Sequence, residues 1–162
     1  MYGEQIAACK ELGYPIVYID ESGFIKDALR THGYQSKGSR CQGVHDWQGK
    51  TVVQAIGALL EGSLLTVCLI AGMVNGAVFK AWLAQDLLPK LTTSCVVVMD
   101  NATFHKVNGI SELIEKAGHQ LLYLPPYSPD LNPIERKWAQ VKALRNKLRT
   151  NDIDALFKDH SI

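Results

Sequence analysis

Three carboxylates stand where the chain could use them for chemistry. Asp20 follows the apolar run Ile16-Val17-Tyr18-Ile19, and Asp100 follows Cys95-Val96-Val97-Val98-Met99. Glu135 follows a proline-rich arm that begins at Pro125 and Pro126. An acid at the exit of a buried strand costs desolvation unless a partner compensates it. Three ionised carboxylates brought together repel, and all stay ionised only with cations between them. Oxygen donors without a thiolate favour Mg²⁺ or Mn²⁺. Two such ions about 4 Å apart would stabilise both the attacking and the leaving oxygen of an in-line phosphoryl displacement. Plainer readings stand beside this one. Asp20-Glu21-Ser22-Gly23 has the composition of a turn, and an acid in a helix's first turn suits the macrodipole.

The elements that must carry these groups are legible in the patterning. Ile16–Ile19 and Cys95–Met99 have the apolar character of strands covered on both faces, and each is expected to end at its acid. Pro125 and Pro126 stop the run Leu121–Leu124, because proline cannot donate to a ladder. Pro129 and Pro133 are expected to keep the arm extended. Asn132 then stands as an N-cap with Pro133 at the first helical position. The helix beginning there carries Ile134, Trp138, Val141, Leu144 and Leu148 on one stripe, where Trp138 reads as packing. Its other faces carry Arg136, Lys137, Lys142, Arg145, Lys147 and Arg149.

Elsewhere, a short helix over residues 3–12 stops at Gly13. Val52–Leu60 and Leu64–Ile70 read as strands joined by a hairpin at Glu61-Gly62-Ser63. Asn75 caps a helix with Phe79, Trp82, Leu83 and Leu87 on one face, expected to stop at Pro89. Ile110, Leu113, Ile114 and Ala117 mark a helix closed by Gly118, followed by a strand over residues 119–124. Asn151 and Asp154 are expected to start a last short helix by a capping box. Three antiparallel strands followed by a parallel βαβα run give an α/β fold class.

At 162 residues the chain has the size of one domain. A net charge of +1 leaves any nucleic-acid surface to uneven distribution. Cys9, Cys41, Cys68 and Cys95 form no C-x-x-C pair, which argues against a zinc site and a disulfide framework and for a reducing, cytoplasmic setting. No apolar run approaches transmembrane length, and the N-terminus does not read as a signal peptide. Residues 25–50 are polar and irregular; Lys37-Gly38-Ser39-Arg40 could clamp phosphates or form a solvated loop.

Three motifs carry a resemblance: Y-I-D-E-S at 18–22, V-M-D-N-A-T-F-H at 98–105 and Y-S-P-D-L-N-P-I-E at 127–135. On these the chain resembles the catalytic domain of DDE transposases, in particular bacterial insertion-sequence relatives of the mariner superfamily. Thirty-four residues separate Asp100 from Glu135, the spacing of the Asp-Asp-Glu branch. The resemblance implies a ribonuclease H-like fold with a mixed five-stranded sheet between helices, forming a single domain over residues 1–162. It implies Mg²⁺- or Mn²⁺-dependent nicking at transposon ends, then strand transfer, with Asp20, Asp100 and Glu135 as ligands of two ions. Family members recognise terminal repeats through N-terminal helix-turn-helix modules. Only about fifteen residues precede the first strand here, so that region is expected to be absent and supplied by another portion. The implied partners are DNA ends, target DNA and further copies of the chain, in a bacterial, nucleoid-associated setting. Asn101 and His105 could orient water or a phosphate. Lys37, Arg40, Arg136, Lys137, Lys142 and Arg145 are candidate contacts to DNA phosphates. Two alternatives use the same residues: a ribonuclease H-like nuclease on other nucleic acids, and a non-catalytic relic that binds DNA or a partner.

Overall fold

The computed structural model describes residues 1–26, 51–102 and 109–158. Its centre is a five-stranded sheet in the order β3-β2-β1-β4-β5. The strands are β1 (Ile16–Lys26), β2 (Thr51–Leu60), β3 (Ser63–Ala71), β4 (Val96–Met99) and β5 (Gln120–Tyr123). The pairs β1–β2 and β2–β3 are antiparallel; β1–β4 and β4–β5 are parallel. The expected division into three antiparallel and two parallel strands is therefore present. The β2–β3 hairpin turns at Glu61 (φ 51°) and Gly62 (φ 81°), both left-handed, as a two-residue turn with the strands' own twist requires.

Helices cover both faces. Side chains alternate along a strand, so Val17 and Ile19 of β1 point to one face and Tyr18, Asp20 and Phe24 to the other. The first face packs Val17, Ile19, Ile56, Val97 and Met99 against α2 (Gly76–Trp82) and α4 (Ile110–Lys116). The second packs Phe24, Ala55 and Leu59 against α5 (Ile134–Leu148) and α6 (Ile153–Lys158). The N-terminal α1 (Tyr2–Glu11) brings Ile6 onto Ile16, Val96 and Val98.

Four local expectations are corrected. β1 does not end at Asp20 but runs on to Lys26, because β2 continues to pair with it: Asp20 lies opposite Gly57, Ser22 opposite Ala55 and Lys26 opposite Thr51. The parallel partner β4 pairs with Ile16–Tyr18. Turn-forming composition has yielded to a long antiparallel ladder. Secondly, Pro89 does not stop the helix capped by Asn75. After Trp82 the helix widens into a π-helical turn over Leu83–Leu87 and closes with α3 (Leu88–Lys90), which contains Pro89. Such widening accommodates a residue that lacks an N–H and crowds the preceding turn. Thirdly, the arm is not extended throughout, since Pro129–Leu131 form a 3₁₀ turn. Its first position suits proline's fixed φ. Lastly, Asp152 rather than Asn151 caps α6, accepting from the Ala155 N–H at 3.0 Å.

Candidate active site

The three acids arrive from three elements. Asp20 lies on β1 two residues past the last β1–β4 pair, Tyr18 with Val98. Asp100 directly follows Met99, the last residue of β4. Asp100 leaves β4, and Asp20 stands on β1 just beyond the β1–β4 pairing, at the same edge, where sites form in α/β sheets. Glu135 is the second residue of α5. All three line one cavity of about 410 Å³, walled by Asn101, Ala102, Asn132 and the arm from Leu124 to Pro129.

The arm and the helix start are fastened locally. The Leu124 N–H donates to the Met99 carbonyl at 2.8 Å, extending the β4–β5 ladder until Pro125 ends it. Asn132 is extended (φ −106°, ψ 102°) while Pro133 is already helical, so Asn132 acts as the N-cap expected of it. Its Oδ1 accepts from the Ile134 N–H at 3.4 Å, and its Nδ2 donates to the Ile19 carbonyl at 3.5 Å. The side chain that caps α5 thereby ties that helix to β1 beside Asp20. Tyr127 stands at the cavity rim with left-handed backbone (φ 55°) and a fully exposed ring.

Asp20 is 7% exposed, Asp100 is half-buried and Glu135 is exposed. Burial, then the charge of Glu135, then that of Glu21, push the Asp20 carboxyl from 3.8 up to about 8. A hydrogen bond with Glu135 favours its protonated form further. Asp100 Oδ1 accepts from the Ala102 N–H at 3.0 Å, which fixes the turn leaving β4. Among the described residues no group of three or more His, Cys, Asp and Glu is gathered tightly enough to hold one ion. The donor set nonetheless fits a hard divalent cation. Three oxygen acids line one cavity, and a buried carboxyl there holds a proton that a cation would replace.

Other candidates divide. Asn101 is exposed at the cavity wall. His105, Lys37 and Arg40 lie outside the described residues. On α5, Arg136 is exposed and Lys137 half-buried. Lys142 places its Nζ 5.6 Å from the centre of the Phe24 ring. Arg145 donates to the carbonyls of Ile25 and Thr150 and to Asn151 Oδ1, so its guanidinium serves the fold itself. Two features of the site escaped the sequence reading. The Trp138 indole N–H donates to Asp20 Oδ2 at 3.2 Å, and Gly57 lies directly under that indole. An isolated glycine between Ile56 and Ala58 in a strand was the available signal, since it marks close approach.

This site sits in a chain that matches the family described as DDE superfamily endonuclease over residues 15–156. The chain belongs to that superfamily. Among solved structures this DDE endonuclease chain is similar to the Mos1 transposase paired-end complex with left transposon end. The identity is 18% and the TM-score 0.64, with 88% of this chain and 46% of that chain covered. It is also similar to the catalytic domain of Mos1 mariner transposase, at 16% identity and TM-score 0.63, covering 96% of this chain and 73% of that one. A structure of the Mos1 catalytic domain and Raltegravir with Mg is matched at 17% identity and TM-score 0.62, covering 94% and 73%. The DDE endonuclease chain thus spans less than half of the chain in the Mos1 paired-end complex. At these identities the likeness is one of fold, and the mixed sheet is ribonuclease H-like. No curated protein matches the chain. No helix among the described residues is long and apolar enough to cross a membrane.

Proposed function

We propose that this chain is the catalytic core of a DNA transposase, which cleaves phosphodiester bonds at transposon ends and transfers the freed ends to target DNA. One observation carries the reading: Asp20, Asp100 and Glu135, from β1, β4 and α5, line a single cavity in a chain of the DDE endonuclease superfamily. The three carboxylates are the residues that would hold divalent cations, Mg²⁺ or Mn²⁺ and two in number. When bound, these supply the positive charge that stabilises the attacking and leaving oxygens of the displacement. Solved Mos1 catalytic domains with Mg and with Mn support that choice of metal.

The chain's own residues prepare the site. Asp20, buried beside the charge of Glu135, holds a proton that would give way to positive charge on loading. The turn leaving β4 holds Asp100, and the capped start of α5 holds Glu135, to the same edge. Arg136 and Lys137 offer charge to the DNA backbone beside Glu135, with Asn101 as an accessory polar group. Lys142 can add charge further along the helix. A helix-turn-helix portion would supply recognition of the ends, and pairing of two ends would require more than one copy. The Mos1 paired-end complex supports DNA ends as partner. We place the protein at the bacterial nucleoid, as an insertion-sequence enzyme.

The test is nicking of a supercoiled plasmid carrying transposon ends, with Mg²⁺ or Mn²⁺. Asp20→Ala, Asp100→Ala and Glu135→Ala should each abolish nicking while the protein still melts cooperatively. Wild-type nicking by any one of them would overturn the assignment.

A further inference from the structure

We propose that Trp138 is a positioning residue for Asp20, and that Gly57 exists in β2 to let its indole reach. The proposal rests on the metal-dependent reading above. Trp138 is a core residue, 2% exposed, on the stripe of α5 that faces the sheet. Packing alone would ask only for a large apolar side chain. A buried indole N–H, however, is stabilised by an acceptor, and here the acceptor is Oδ2 of Asp20 at 3.2 Å. Trp138 follows Glu135 by three residues, so one turn of helix presents both groups to the same aspartate.

The close approach has been given room. Gly57 is the residue paired opposite Asp20 on β2. A Cβ built on Gly57 would stand 2.6 Å from Cη2 and 3.0 Å from Cζ2 of Trp138. Those contacts are with the rigid ring itself, so the indole would have to shift. Phe157 meets the indole edge-on, at 6.3 Å between ring centres, from α6. Glycine beneath and an aromatic edge beside fix the ring, and the ring fixes one oxygen of Asp20. A carboxylate held at one oxygen cannot turn freely about its Cβ–Cγ bond, so the other oxygen keeps one orientation. The choice of indole is also selective. It is a donor with no acceptor lone pair, so it orients the carboxylate without itself becoming a ligand. Neighbouring donors commonly tune metal sites in this way, and their loss costs about 10–100-fold in metal affinity or activity.

The test is Mn²⁺ binding to the full chain without DNA, followed by loss of the free Mn²⁺ electron paramagnetic resonance signal. Plasmid nicking against Mn²⁺ concentration is read in parallel. Trp138→Phe keeps an aromatic ring and removes the N–H. Its Mn²⁺ dissociation constant should rise about 10–100-fold, and half-maximal nicking should move to higher Mn²⁺, while nicking at saturating Mn²⁺ recovers. A purely packing role would lower the melting temperature and leave the Mn²⁺ isotherm unchanged; that result overturns the proposal. If Trp138→Phe does not fold, Gly57→Ala decides: it retains the N–H but displaces the ring, so weaker Mn²⁺ binding supports the proposal and an unchanged isotherm overturns it. Wild-type protein that bound no Mn²⁺ would overturn the metal-dependent reading itself, a result distinct from wild-type binding by Trp138→Phe.

Discussion

Glu135, at the start of α5, shares one cavity with Asp20, in the middle of β1, and its charge bears on the buried Asp20 carboxyl. Two ionised carboxylates there repel, so the buried Asp20 retains its proton. This relationship makes the site sensitive to pH in a direction that can be worked out. Burial and the charge of Glu135 raise the Asp20 carboxyl from 3.8 to about 8. Between these values the folded protein keeps a proton that the unfolded chain has released. Stability is therefore full below the unfolded value and is lost as pH rises through the folded one. Metal-free protein should melt several degrees lower at alkaline pH than near pH 5, given that ~1 kcal/mol moves the midpoint of a domain this size by roughly 2–4 °C. Asp20→Asn should flatten the dependence, and Mg²⁺ should raise the wild-type midpoint more at the alkaline end, where no proton competes. Thermal scans across pH check this; a flat wild-type profile would refute it.

Asn132 combines two duties, so its loss should be felt twice. Asn132→Ala removes the cap on α5 and the tie to the Ile19 carbonyl. A cost of ~1–2 kcal/mol is expected in denaturant unfolding, together with slower nicking, because the same helix start carries Glu135. Full stability with unaltered nicking would show that the side chain is idle.

The basic residues of α5 should separate by what they already touch. Arg145→Ala should destabilise the protein by ~1 kcal/mol, since one exposed and two half-buried acceptors lose a charged donor, and leave DNA binding nearly unchanged. Arg136→Ala and Lys137→Ala should do the opposite, each reducing the slope of log affinity against log salt by about 1. Filter binding over a salt series, with melting curves on the same variants, distinguishes the two classes. Equal salt slopes in all three variants would refute the division.

Tyr127 adopts a left-handed backbone that a side-chain-bearing residue reaches at a cost of ~1–2 kcal/mol, yet its ring is wholly exposed. Stability gains nothing from that combination, so the ring is expected to serve DNA. Tyr127→Gly should melt at the same temperature or higher and bind DNA more weakly, by up to the ~1–3 kcal/mol of a stacked base. Lower stability with undiminished DNA affinity would assign the residue to the fold.

What the sequence could disclose depended on how local its causes were. Asp100 was legible because an unbroken apolar run ends beside it, and β4 does end there. Glu135 was legible because Asn132 and Pro133 announce a helix start by their own conformational preferences. Asp20 was found, but its strand was cut short. The residues after it favour turns, and what holds them extended is the pairing of Glu21, Ser22 and Gly23 with β2, which local composition cannot express. The helix that passes through Pro89 was missed for a related reason: its π-helical turn is an adjustment made within the packed structure. The indole bond to Asp20 joins residues 118 positions apart, beyond any window of local patterning.

That separation also has a consequence in time. During synthesis β1 is made long before α5, since Trp138 follows Asp20 by 118 positions. Every intermediate length carries Asp20 without the partners that complete its surroundings. A product that stops before α5 therefore has the sheet's first strands and no assembled carboxylate site. Under the proposed function, competence to cut DNA arrives only once α5 has been made.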